Sequence, residues 1–222
     1  LYESRERIVV EDYEHHPSEI ASLLKLRSKL LPEHELKVVF QPHRYSRTKA
    51  LASSFAEELS IADELHLLPT YGAFEKFDLS GAVESLTGYL PPRLRDAAKI
   101  FHNFYDLRMS LGSKNKETCD QVIFLGAGSI TKWAHAFSAW EKTGGVKHDA
   151  FGCFLEGRIS NQSKMVRDMP LGSMTTMGVG GAAKWYAEPA NIEDLSTLVE
   201  ACEFFDIQRA MIGRGSNLIV PD

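Results

Sequence analysis

Between residues 8 and 68 the chain alternates short β-branched or aliphatic runs with amphipathic stretches, and this rhythm restricts the fold more than any other feature. Ile8-Val9-Val10, Lys37-Val38-Val39-Phe40 and Leu65-His66-Leu67-Leu68 read as strands. After the first, Pro17-Ser18-Glu19 opens a helix with Ile20, Leu23, Leu24, Leu26 and Leu30 three and four residues apart. After the second, residues 47 to 59 place Leu51, Phe55 and Leu59 on one helical face. Strands separated by helices need crossover connections, so the pattern predicts βαβ units and a mainly parallel sheet, an α/β fold. Asp120-Gln121-Val122-Ile123-Phe124-Leu125 extends that sheet as a buried strand, with a helix over residues 130 to 141. Residues 69 to 118 are less regular; helices are expected around 80 to 88 and 95 to 111, with a strand between them.

The pattern breaks at Thr143-Gly144-Gly145, which divides the chain into a first domain over residues 1 to 141, a linker over 142 to 150 and a second domain over 151 to 222. In the second domain a Gly-rich turn at 178 to 181 precedes a strand at Lys184-Trp185-Tyr186-Ala187. A helix from about 191 to 204 follows, then a strand-turn-strand around Gly213-Arg214-Gly215-Ser216-Asn217. The chain starts on Leu1 rather than Met and stops at Pro221-Asp222 just after the apolar run Leu218-Ile219-Val220, so it reads as an excerpt of a longer polypeptide.

Charge narrows the possible partners. Twenty-five Lys and Arg against thirty Asp and Glu leave a net charge of -5, which supplies no global basic field for nucleic acid or an anionic membrane. No run approaches the roughly 18 apolar residues of a membrane span, and the polar first residues do not resemble a signal peptide, so a cytoplasmic protein is expected. Cys119, Cys153 and Cys202 are far apart and outside any CxxC or Cys/His cluster, which predicts packing residues rather than disulfides or a metal site.

Two polar clusters follow strands and open helices, where ligands bind in open α/β sheets. The first is Glu11-Asp12-Tyr13-Glu14-His15-His16-Pro17. The second, Gln41-Pro42-His43-Arg44-Tyr45-Ser46-Arg47-Thr48, sets two arginines and a histidine beside a helix amino terminus. Guanidinium forks and open backbone amides both favour carboxylate or phosphate oxygens, so this segment reads as an anion trap; a solvated basic turn is the alternative. Gly126-Ala127-Gly128 lacks the third glycine of a dinucleotide fingerprint, Thr131 standing there, and reads as a tight turn near the cleft.

These clusters, with Gly126-Ala127-Gly128-Ser129-Ile130, resemble the carboxy-terminal domain of the Mur ligases over roughly residues 5 to 141, most closely the branch that joins L-alanine to UDP-N-acetylmuramate. Glu14 stands where that family usually has Gly. The resemblance implies a Rossmann-like α/β domain and an ATP-dependent ligase that passes through an acyl phosphate. It puts Asp12 on the nucleotide side of the cleft and Tyr13, His15, His43, Arg44 and Arg47 on the amino-acid side. It also implies that ATP and Mg2+ are held mainly by a central domain, since no GxxxxGK[ST] phosphate loop occurs here.

Thr175-Thr176-Met177-Gly178-Val179-Gly180-Gly181-Ala182 and Ile212-Gly213-Arg214-Gly215-Ser216-Asn217-Leu218 place glycine where backbone amides can approach an anion. Each alone could be a hairpin turn. Together, over about residues 155 to 222, they resemble the start of the UDP-N-acetylenolpyruvoylglucosamine reductases, which use FAD and NADPH. That resemblance implies the beginning of an α+β FAD-binding domain of the PCMH type. Thr175, Gly180, Gly181, Gly213, Arg214, Gly215, Ser216 and Asn217 would then lie at the flavin pyrophosphate. The two resemblances concern consecutive steps of peptidoglycan precursor synthesis and imply a bifunctional enzyme. The rival reading is an active flavin reductase carrying an inactive ligase-like domain as a nucleotide-binding or oligomerising scaffold.

Overall fold

The computed structural model describes residues 1 to 112, 119 to 176 and 178 to 213. The chain divides into two compact units, Leu1–Lys142 and Thr143–Asp222.

The first unit is a six-stranded sheet in the order β1-β2-β6-β3-β4-β5, formed by β1 (Tyr2–Glu3), β2 (Arg7–Asp12), β3 (Glu35–Phe40), β4 (Glu64–Leu67), β5 (Lys99–Ile100) and β6 (Asp120–Leu125). Only β1 runs antiparallel, on the outer edge of β2. The rest are parallel, as the alternating pattern predicts. In β6 all six residues are buried, and in β3 all but Glu35, which is why both read as continuous runs rather than alternating ones.

Helices α1 (Pro17–Leu30), α2 (Tyr45–Leu59), α3 (Val83–Thr87) and α4 (Pro92–Arg95) cover one face. Their Ile20, Leu24, Phe55, Leu59, Leu86 and Leu94 pack with Val38, Phe40, Leu67, Ile123 and Leu125 of the sheet. On the opposite face, Phe137 of α6 (Ile130–Lys142) sets its ring 5.8 Å from that of Phe124. Near it, Phe104 of α5 (Phe104–Leu111) meets Trp133 edge to face at 6.2 Å. The helix expected over 95 to 111 forms only as α5, the strand expected before it is β5 at residues 99 and 100, inside that range, and α4 stands where the strand was expected. Three prolines and glycines, Gly88, Pro91 and Pro92, interrupt this region and keep its elements short.

Registers level the sheet. Asp12 and Phe40 both pair with Leu125, and Phe40 pairs with Leu67, so the segments leaving β2, β3, β4 and β6 start at one edge. β6 lies between β2 and β3 although it is the last strand of the unit.

The second unit holds α7 (Lys147–Leu155), an antiparallel hairpin of β7 (Lys164–Pro170) and β8 (Ala182–Glu188), and α8 (Ile192–Phe204). α7 corrects two expectations: the linker shrinks to residues 143 to 146, and ordered structure begins before Phe151. Phe151 and Phe154 account for this helix, the first packing on Trp185 at 5.6 Å and the second on Phe204 and Phe205 at 5.5 and 5.8 Å. Trp185 also donates its indole N–H to the carbonyl of His148 at 3.2 Å. The strand expected before Gly213 is not formed; residues 207 to 213 leave α8 as irregular, largely exposed chain with no ladder partner among the described residues.

Candidate functional site

The two polar clusters of the first unit meet at the carboxyl edge of the sheet. His15, in the turn after β2, lies with its ring centroid 5.7 Å from that of His43, which follows β3. Tyr13 abuts His15 edge to face at 5.5 Å, and Tyr71, beyond β4, stacks on His43 at 5.7 Å and 20°. Loops from three strands thus contribute one row of rings. The main chain fixes it: Tyr71 donates its amide to Pro42 and Arg44 donates to Tyr71, both at 2.8 Å.

Arg44 caps α2 from the left-handed region, at φ 70. That conformation is uncommon for a side chain of this size and is held here by the bond to Tyr71. Arg44 is exposed, and Arg47, one turn into α2, is half-buried. Burial first, then Arg47, His15 and Arg44, lower the His43 pKa, so the ring is held neutral near pH 7. His43 Nδ1 and Arg47 Nη1 are shielded from solvent and have no hydrogen-bond partner among the described residues. Buried polar atoms are nearly always paired, so an unpartnered guanidinium N–H near an unpartnered imidazole nitrogen marks a candidate ligand site.

Asp12 ends β2, where its carboxylate accepts the Glu14 amide at 3.3 Å. Glu14 itself is pushed upward, by burial and by Asp12 and Glu19, and its Oε2 is also unpartnered. His16 faces away; its Nδ1 pairs with the Ser18 hydroxyl at 2.9 Å, and its amide is capped by Glu19 at 3.2 Å.

Gly126 and Gly128 form a packed turn. A Cβ on Gly126, whose φ is 147, would fall 2.6 Å from the Gln41 carbonyl, and one on Gly128 would fall 2.6 Å from the Tyr71 ring. The closeness lets Gln41, buried at the end of β3, accept the first amide of α6 from Ile130 at 2.9 Å and donate to Ser129 at 3.1 Å.

One expectation needs correcting. The amino terminus of α2 is not fully open, because the Glu75 carboxylate takes the Ser46 amide. Ser46 donates its amide at 3.0 Å and its hydroxyl at 2.5 Å to Glu75. Neither Glu75 nor Tyr71 stands out in the sequence. Both belong to the irregular region after β4, and only the bridge between His43 and Tyr71 brings them in.

Among the described residues no group of three or more His, Cys, Asp or Glu could hold a metal ion. No described helix is long and apolar enough to cross a membrane.

In the second unit, Thr175 closes the hairpin loop on itself. Its hydroxyl lies 3.1 Å from the carbonyls of both Gly172 and Val179 and can donate to either. Gly178 and Gly180 take φ of 67 and 145, and Gly181 accepts the Leu171 amide at 3.0 Å. A cradle of glycine amides suits an anion in kind. A Cβ on Gly213 would meet nothing within 4 Å among the described residues, while Arg214, Gly215, Ser216 and Asn217 lie outside them.

No protein-family model matches the chain. A UDP-N-acetylmuramate–L-alanine ligase of Pediococcus pentosaceus is 38% identical over 135 residues, which is 60% of this chain and 29% of that protein. One from Legionella pneumophila is 37% identical over 133 residues, covering 60% and 28%. The chain therefore spans less than a third of these curated relatives. A solved UDP-N-acetylmuramate-alanine ligase from Thermotoga maritima aligns with 60% of this chain and 26% of its own, at 24% identity and a TM-score of 0.45.

Proposed function

We propose that the chain spans the junction of a bifunctional cytoplasmic enzyme of peptidoglycan precursor synthesis. Residues 1 to 141 would be the carboxy-terminal domain of a ligase joining L-alanine to UDP-N-acetylmuramate at the expense of ATP. Residues 151 to 222 would begin the FAD-binding domain of a reductase that uses NADPH to convert UDP-N-acetylenolpyruvoylglucosamine to the ligase's substrate. The ligase reading is supported by the identity to L-alanine ligases, and the reductase reading by its two glycine motifs.

The observation that carries the ligase half is the meeting of His15 with His43 beside the unpartnered Arg47 Nη1. Arg47 offers its Nη1–H to the carboxylate of L-alanine, joined by His43 when its Nδ1 carries the proton, leaving the amine to attack an activated muramyl carboxyl group. Tyr13 and His15 would wall this pocket, Arg44 would border it, and Asp12 would face the nucleotide. A positioned amine and a fixed carboxylate make the attack effectively intramolecular. Mg2+ finds no ligand cluster among the described residues and would be held with the ATP phosphates mainly elsewhere in the longer enzyme.

In the second unit, Thr175, Gly180, Gly181 and the segment from Gly213 to Asn217 would hold the flavin pyrophosphate. FAD, when bound, supplies hydride chemistry; these residues only bind and orient it.

The test uses a longer protein that contains this chain. It should ligate L-alanine in an ATP-dependent way, purify with flavin absorbance and oxidise NADPH with the enolpyruvyl substrate. There, Gly215→Ala should lower flavin occupancy and reductase turnover together while ligation continues, whereas Arg214→Ala should be milder. The 222-residue chain alone should do neither reaction. Full flavin occupancy in Gly215→Ala would remove the pyrophosphate assignment, and flavin without ligation would favour the scaffold reading.

A further inference from the structure

The carboxylate that closes α2 comes from the chain itself and stands where a second ligand anion would bind. Besides its two bonds from Ser46, Glu75 lies 3.9 Å from Arg44 Nε. The loop that delivers it is specifically shaped. Ala73 and Phe74 both adopt left-handed backbone, at φ 47 and 71, and Glu75 donates its own amide to Gly72 at 2.9 Å. At Gly72 a Cβ would fall 2.9 Å from the Tyr45 ring, so the loop lies tight against the first residue of α2. The hydrogen bonds from Ser46 also hold the Glu75 carboxyl below its ordinary pKa, so it is an anion at neutral pH.

We propose that Glu75 sets how many carboxylates the pocket accepts. It takes the Ser46 amide, pairs at 3.9 Å with Arg44 Nε and leaves Arg47 and His43 to the ligand, so an amino acid with one carboxylate is selected over one with two. Given the amino-acid-binding assignment proposed above, an L-alanine carboxylate finds unpartnered donors, whereas the side-chain carboxylate of L-aspartate meets Glu75. Discrimination here comes from a repulsive group built against the wrong ligand as well as from contacts to the right one.

The isotope-labelled 222-residue chain, titrated with L-alanine and with L-aspartate while the Ser46 amide is followed by NMR, tests this. In the wild-type chain neither amino acid should move the Ser46 amide. Glu75→Gln keeps the shape and removes the charge. It should shift preference toward L-aspartate by roughly tenfold or more, the low end for one charge-assisted contact, with L-aspartate now moving Ser46. Adding Arg44→Gln should take that gain away. A merely structural cap would not produce a gain for one ligand. Glu75→Asp, whose shorter carboxylate cannot span the same contacts, should shift preference in the same direction by less. Unchanged preference in either variant with a native-like spectrum overturns the proposal. If the wild-type chain ignores L-alanine while Glu75→Gln captures L-aspartate at Ser46, the role of Glu75 stands and the L-alanine assignment falls.

Discussion

The first unit contains two charged clusters of opposite character. One surrounds Arg7, fully buried in β2. Its guanidinium is gripped by Asp120 through two bonds of 2.6 Å, by Glu141 at 3.1 Å and by the Leu111 carbonyl at 2.7 Å. Lys37, also buried, adds Glu35, Glu64 and Asp120 within 3.5 Å. Burial opposes the charge on Arg7, yet Asp120 and Glu141 more than restore it, and its pKa rises. The other cluster, at His15, His43 and Arg47, is half-exposed and leaves donors without partners. Paired charge inside a sheet specifies a fold, whereas unpaired charge at its carboxyl edge awaits a ligand.

The largest effect should come from breaking the closed cluster. Asp120→Asn strips compensation from two buried cations at once and should destabilise the first unit by about 3 to 5 kcal/mol. Urea unfolding followed by hydrogen exchange in β3 and β6 measures it; a loss below about 1 kcal/mol would dissolve the contrast. Arg47→Ala should do the reverse. Stability should change by no more than about 0.5 kcal/mol, while L-alanine use by the longer ligase falls roughly 10- to 150-fold, and ATP use far less. Lysine at 47 should rescue only part, lacking the planar fork.

Smaller effects follow from titration. The His66 ring nitrogen 3.3 Å away, then Lys37, hold Glu64 down to about 2 from 4.5, against its partial burial. A carboxyl depressed in the folded state stabilises fully above its ordinary value and loses that contribution as pH falls toward the folded one. Thermal stability should therefore decline between about pH 4.5 and 2, less steeply in Glu64→Gln. His43 has the same sign from a different cause, burial and neighbouring cations. Its lowered pKa means the unfolded chain takes up a proton first, so its contribution weakens the fold as pH drops through 6.5. L-alanine, bringing a carboxylate beside the ring, should raise the His43 pKa, which NMR titration of the imidazole reads directly.

The sequence exposes one of these clusters and conceals the other. Strands β2, β3, β4 and β6 and helices α1, α2 and α6 are legible because apolar periodicity is local. His43, Arg44 and Arg47 are legible because position after a strand is local too. Nothing local marks Arg7 as buried, since its burial depends on Asp120, 113 residues away. Glu75 is hidden for the same reason, its partner Ser46 being 29 residues earlier. β5 and α4, two and four residues long, carry too few positions to show a period. In the second unit α7 is masked by the glycines before it, and half-exposed β7 shows no clean alternation.

The place of β6 between β2 and β3 has a consequence for how the molecule is made. During synthesis, the chain through residue 118 can present β2 and β3 but cannot join them, and each then offers an unsatisfied edge. Closure must wait for a strand more than a hundred residues from its first partner, a high-contact-order event that is slow beside the formation of α1 or α2. Because His15 and His43 follow the two strands that β6 joins, the pocket and the sheet are completed in a single late step, and a nascent chain carries both halves of the site before it owns the site.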